Sequence, residues 1–70
     1  MEIKAGDLLL IVYRNWEGEV SERKIRVKQM IWTHNQWHPE PQTMIEALDE
    51  DKKAMRFFAT SGIYSMQKLK

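Results

Sequence analysis

Six consecutive apolar residues, Leu8–Tyr13, place the strongest limit on how this chain can fold. The run is too short for a comfortable helix, ends in β-forming residues and is bounded by turn residues, so it predicts a buried strand. The segment Asn15–Gly18 predicts a turn, because Asn tolerates unusual backbone angles and Gly18 allows a positive φ. A hairpin is therefore expected at the start of the chain.

The partner strand of this hairpin is indicated by the alternation between Ser21 and Trp32. One face carries Ile25, Val27 and Ile31, and the other carries Lys24, Arg26 and Lys28. A period of two is the side-chain repeat of a strand, and a helix would mix the two sets.

A second hairpin is predicted from Thr43–Leu48 and Ala54–Thr60, which flank the polar segment Asp49–Lys53. If these five residues form a symmetric loop, Glu46 lies directly opposite Arg56. Such a position would make the two side chains an ordinary cross-strand ion pair.

The remaining segments predict a loop and a helix. Between the hairpins, His34–Gln42 contains two prolines, which deny hydrogen bonds to a sheet and predict a rigid loop. We expect Trp37 in this loop to cover an open end of the sheet rather than to stack on a ligand. Near the C-terminus, Ser61 is a candidate cap for a short helix that runs through Gln67.

Length and composition point to one small domain spanning residues 1–70. The predicted fold is mostly β: a small SH3-like or Sm-like curved sheet or barrel of four to five strands with a short C-terminal helix. Closing the sheet would remove exposed strand edges. The absence of cysteine fits a reducing compartment, and the longest apolar run is far below the roughly 18–20 residues that cross a bilayer. We therefore expect a cytoplasmic protein without a membrane partner.

Three segments resemble those of WYL domains. Ile11–Arg26 resembles their opening hairpin, Arg56–Ile63 resembles their later Arg-x-Phe-x-Leu-x-x-Ile signature, and Trp37–Gln42 resembles a loop of short, single-domain WYL-like proteins. Thr43-Met44-Ile45 stands where the Trp-Tyr-Leu triplet would be expected. The resemblance implies an SH3-like barrel and a regulatory or sensing module that lacks the usual helix-turn-helix domain.

The resemblance also implies a basic ligand site that receives a nucleotide or another anion derived from nucleic acid. The matching positions are Tyr13, Arg23 and Arg56. Strand parity supports the two arginines, because Arg23 shares a face with Ile25 and Arg56 shares a face with Phe58. A guanidinium that leans inward needs either an internal carboxylate or an external anion.

Each of these residues has a structural alternative. Arg56 could pair with Glu46, Arg23 could bond backbone carbonyls at a loop, and Tyr13 could be a core ring with its hydroxyl at the edge. Whether Arg23 and Arg56 have carboxylate partners within the chain therefore separates a ligand site from a structural one.

The outer face of the second strand offers a second surface for nucleic acid. Lys24, Arg26 and Lys28 form a basic stripe there, and Trp32 could stack on a base. The alternative is the ordinary solvated face of a strand, whose field the nearby glutamates would weaken.

The chain offers little for catalysis or metal binding. His34, His38 and Glu40 have a spacing that suggests a metal site on a helix, but the prolines argue against a helix, and we predict no metal. No serine has a matching His and acid, so we expect a protein that is not an enzyme and uses no cofactor. The leading hypothesis is a stand-alone WYL-like module that binds a nucleotide or single-stranded nucleic acid. The alternative is a protein-interaction module or homodimer, because five methionines and three tryptophans leave apolar surface to cover.

Overall fold

The chain forms five antiparallel strands in one sheet, seen in a computed structural model that describes residues 2–69. The strands and the single short 3-10 helix are, in chain order, β1 (Leu8–Arg14), β2 (Val20–Thr33), β3 (Gln42–Asp49), β4 (Ala54–Ala59), the 3-10 helix (Thr60–Gly62) and β5 (Ile63–Lys68). The mostly β prediction and the first four predicted strands are confirmed.

The strand order is β4-β3-β2-β1-β5, so β1 and β2 lie inside the sheet and β4 and β5 lie at its edges. Within residues 2–69, no strand pairing joins β4 to β5, and the sheet is open. The 14-residue β2 pairs with β1 through its first half and with β3 through its second. A register shift between Val27 and Gln29 leaves Lys28 as an extra residue, and such a bulge bends the strand that carries it.

The core lies on one face of the sheet, which we call the inner face, where alternate residues of each strand meet. Its buried side chains are Leu9, Ile11, Tyr13, Ile25, Val27, Ile45, Ala47 and Phe58. The expected alternation in β2 is confirmed up to Lys28, because Ile25 and Val27 are buried whereas Lys24, Arg26 and Lys28 are exposed. It is wrong for Ile31, because the bulge pairs Ile31 with Met44 on the opposite face. Within the described part of the chain, no helix has the length and apolar character that a membrane crossing requires.

The predicted C-terminal helix over Ser61–Gln67 is wrong. The backbone makes one 3-10 turn and then enters β5, which pairs with β1 through contacts such as Ile11 opposite Met66. The free edge of β1 offers hydrogen bonds along a whole strand, whereas a short isolated helix is marginal in water. This tertiary pairing outweighs the local helix signal.

The predicted pairing of Glu46 with Arg56 is also wrong. β3 continues through Asp49, so the turn contains only residues 50–53, and Lys53 adopts a positive φ of 54° to close it. Ala47 consequently lies opposite Arg56, and Glu46 lies opposite Phe57. A shift of one residue moves a side chain to the other face of the sheet.

Candidate functional site

An open cleft of about 610 Å³ brings together the three residues that the resemblance selected, Tyr13, Arg23 and Arg56. Its floor is the inner face of β1, β2 and β4. Its walls are the β1–β2 turn, the loop over residues 34–41, and the β3–β4 turn together with β4. Strand parity therefore correctly placed both arginines on the side of Ile25 and Phe58.

Arg23 is held by a buried carboxylate. Its Nη1 donates to Asp49 Oδ2 at 3.1 Å and its Nε donates to Ser21 Oγ at 3.0 Å. The Asp49 side chain is 1% exposed and the Arg23 side chain 18%. These two bonds leave three of the five guanidinium N–H groups for other acceptors. The charge of Arg23 thus has an internal partner, although the residue still faces the cleft.

Asp49 also shapes the wall beside Arg56. Its Oδ1 accepts hydrogen bonds from the backbone N–H groups of Asp51 at 3.1 Å and Lys52 at 3.2 Å. One carboxylate therefore joins β2 to the β3–β4 turn, and so sets where β4 begins.

Arg56 has no such partner. Across residues 2–69, no carboxylate oxygen lies within 4.0 Å of its guanidinium. Glu46, the expected partner, instead accepts from Gln29 Nε2 at 2.7 Å and lies 3.7 Å from Lys28 Nζ. The structure separates the two arginines: Arg23 is paired inside the protein, and Arg56 faces the cleft and solvent.

Tyr13 belongs to the core as well as to the floor of the cleft. Its ring packs edge-on against Phe58, with centroids 5.1 Å apart, and its hydroxyl accepts the backbone N–H of Ala59 at 3.1 Å. Burial raises the pKa of this phenol, and the bond from Ala59 and the positive charge of Arg23 act in the opposite direction. Tyr13 therefore has the contacts of the structural alternative, a core ring whose hydroxyl is hydrogen-bonded within the protein.

Two tryptophans form the aromatic rim of the cleft. Trp16, in the β1–β2 turn, stacks on Trp37, with ring centroids 4.6 Å apart and planes 21° apart. Their side chains remain 54% and 49% exposed, because each ring covers only one face of the other. We expected Trp37 to cover an open end of the sheet; the structure shows it stacked on Trp16 at the rim of the cleft.

Short-range hydrogen bonds hold both tryptophans in place. Asn35 Oδ1 accepts the backbone N–H groups of Trp37 at 3.0 Å and His38 at 2.8 Å. Asn15 Oδ1 accepts those of Glu17 at 2.9 Å and Glu19 at 3.0 Å. Each asparagine thus fixes a turn through its side chain.

The charges that line the cleft differ between walls. The β1–β2 turn contributes Glu17 and Glu19, whereas the β3–β4 turn contributes Lys52 and β4 contributes Arg56. Among the described residues, none of these four side chains makes an ion pair. Sequence reasoning missed Trp16, both glutamates and Lys52 as site residues, although Trp16 in a polar turn was a usable signal.

The basic stripe on the outer face is partly neutralised. Arg26 lies 3.5 Å from Glu50, and Lys28 lies 3.7 Å from Glu46, whereas Lys24 has no ion-pair partner in the described part of the chain. Trp32 is 69% exposed but does not belong to this face of the sheet, where the sequence pattern had placed it. The register shift at Lys28 pairs Trp32 with Thr43, which shares the inner face with Ile45 and Ala47. The stripe is a less concentrated positive surface than the sequence indicated.

His34, His38 and Glu40 lie in a loop, as the prolines indicated, and His38 also lines the cleft. Over residues 2–69, no three His, Asp or Glu side chains are grouped so that they could hold a metal ion.

No known family model matches this chain, and no curated protein is similar enough to count as a relative. The function must therefore be argued from the cleft itself.

Proposed function

We propose that this protein is a binding module for a planar anionic ligand, a nucleotide or the end of a nucleic-acid strand, and that the ligand occupies the cleft. The observation that carries the proposal is the guanidinium of Arg56, which lacks a carboxylate partner across residues 2–69 and lines the same cleft as the stacked Trp16–Trp37 pair.

Arg56 is suited to bind the anionic group. A guanidinium is always charged and offers a planar fork of donors that matches a phosphate, with charge-assisted bonds roughly twice as strong as neutral ones. Lys52 adds a second positive charge to the same side of the cleft. Arg23 contributes its remaining N–H groups from the floor, although Asp49 offsets its charge.

The tryptophan pair is suited to bind the planar group. Base–aromatic stacking is worth about 1–3 kcal/mol per base, and it needs an indole face that solvent can reach. Trp16 and Trp37 each keep about half of their surface exposed while their inner faces are stacked. Since the two rings are already stacked on each other, stacking a base on them would cost little further conformational entropy.

We further propose that the bent sheet is of the SH3-like or Sm-like curved-sheet type, and that it is a WYL-like sensing module of the cytoplasm. Support comes from the order of the three WYL-like segments and from the bulge that curves β2.

The test is a titration of the protein with AMP, GMP, CMP and UMP, followed by NMR. We expect saturable shifts of the Trp16 and Trp37 indole N–H signals. Arg56→Gln should weaken binding about tenfold or more, because it removes a charge-assisted phosphate contact. The matched control is Lys24→Gln, which removes an exposed positive charge outside the cleft and should leave the affinity unchanged. The absence of a saturable shift with any nucleotide would contradict the proposal.

Self-association is a second candidate, favoured by the exposed apolar side chains of an edge strand. Met55 and Phe57 of β4 are 49% and 42% exposed, and β4 has one unpaired edge. Such an edge can pair with a second copy. Sedimentation velocity over a wide concentration range tests this candidate, and a constant monomer mass would exclude it.

A further inference from the structure

We infer that the base recognised in the cleft is guanine, an inference that rests on the proposed nucleotide-binding function and adds the identity of the base. It follows from the opposed charges of the cleft. A site for a phosphate alone needs only the positive side, and carboxylates would weaken it.

The acidic wall consists of Glu17 and Glu19, whose side chains make no ion pair within the described chain. An ionised carboxylate only accepts hydrogen bonds, through two oxygens. The matching ligand edge must therefore present two neighbouring donors. Among the bases, only guanine has this edge, with N1–H beside the 2-amino group.

The other bases lack this match. In adenine and cytosine the amino group lies beside an unprotonated ring nitrogen, which would repel a carboxylate oxygen. In uracil the single N–H lies between two carbonyl oxygens. Bases that are not stacked in a duplex are commonly recognised through these edges while an aromatic side chain stacks on the ring.

The elements place these groups in a suitable order. Glu17 follows Trp16 directly, and Asn15 Oδ1 fixes the backbone of Glu17 and Glu19 in one turn. Arg56 and Lys52 lie on a different wall. A guanine stacked on the exposed face of the tryptophan pair would direct its donor edge toward the turn and its phosphate toward β4.

The affinity for each nucleotide is measured by tryptophan fluorescence in a Trp32→Phe background, which removes the tryptophan that does not line the cleft. We expect GMP to bind about tenfold or more tightly than AMP, CMP or UMP, the range that a good bidentate contact supplies. IMP, which keeps N1–H but lacks the 2-amino group, should bind with intermediate affinity. Tetranucleotides that begin or end with guanylate separate the two sources: tighter binding than GMP indicates a strand end, and weaker binding indicates a free nucleotide.

The carboxylates are tested by Glu17→Gln, Glu19→Gln and the double variant. At least the double variant should remove the preference for GMP while it retains binding, because the phosphate and stacking contacts remain. Glu22→Gln is the matched control, since Glu22 is exposed and lies outside the cleft. Equal affinities for all four nucleotides, or an unchanged preference in the double variant, would overturn the inference but not the proposed function. Failure of every nucleotide to bind would overturn both.

Discussion

The ion pair between Arg23 and Asp49 provides a sharp test of how this small domain is held together. Replacing Asp49 with Asn keeps the size of the side chain and one carbonyl oxygen for the N–H groups of Asp51 and Lys52. It replaces the oxygen that Arg23 Nη1 contacts at 3.1 Å with an amide N–H group, which only donates. The guanidinium is then left without its charge partner.

The expected cost follows from burial. Breaking a fully buried ion pair by removing one partner costs about 3–5 kcal/mol. Because the Arg23 side chain is 18% exposed, it retains some hydration, and we expect about 2–4 kcal/mol for Asp49→Asn. At about 4–8 °C per kcal/mol in a domain of this size, the Tm should fall by about 8–32 °C.

Urea unfolding of the four proteins of a double-mutant cycle measures this: the parent, Asp49→Asn, Arg23→Gln and the double variant. The losses of unfolding free energy of the two single variants should add up to about 1–3 kcal/mol more than the loss of the double variant. The reason is that each single change leaves the other member of the pair without its partner. Asp51→Asn, an exposed change in the same turn, should stay within about 0.5 kcal/mol of the parent.

Two results would refute this reasoning. One is a cost for Asp49→Asn below about 0.5 kcal/mol, the level of an ordinary surface substitution. The other is full additivity in the cycle. Either result would mean that the Arg23–Asp49 contact does not stabilise the fold. The whole guanidinium of Arg23 would then be available to a ligand.

Two further predictions concern pH. Tyr13→Phe should cost about 1–3 kcal/mol near neutral pH, because it leaves the buried Ala59 N–H without an acceptor. Since burial raises the pKa of Tyr13, the folded protein keeps the proton above pH 10.0, where the unfolded chain loses it. Stability should therefore fall above that pH, and Tyr13→Phe should reduce this fall in urea titrations; an equal fall in both proteins would contradict the assignment. For Asp7, the backbone N–H of Lys4, aided by Lys68, lowers the pKa below 3.8. Its carboxylate should stabilise the fold above about pH 4 and lose this effect as the pH falls. Asp7→Asn should therefore reduce the fall in unfolding free energy below about pH 4, and an unchanged fall would refute this prediction.

Much of the fold could be predicted because strands carry a local pattern. The alternation around Ile25 and Val27 shows the period of two of a strand, and the apolar run Leu8–Tyr13 has the length of a buried strand. The C-terminal segment was misassigned because its local pattern fits a short helix, whereas its conformation depends on the free edge of β1.

The candidate site was predicted only in part. The sequence together with the family resemblance selected Tyr13, Arg23 and Arg56, and parity placed the arginines on the inner side. The pairing of charges could not be predicted, because it depends on the register between β3 and β4. The positive φ at Lys53 shortens the turn by one residue and so moves Glu46 away from Arg56.

The sequence by itself determined that β1 to β4 are extended and which side chains of β1 and of the first half of β2 face the core, since both follow from residue order along one strand. Only the tertiary structure decided that Asp49 pairs with Arg23, that Arg56 lacks a carboxylate partner across residues 2–69, and that Trp16 meets Trp37. The two contacts join residues that are 26 and 21 positions apart, and their geometry depends on how strands bend and turns close. Burial patterns are local in sequence, whereas the partners of charges and aromatic rings are set by neighbours in space.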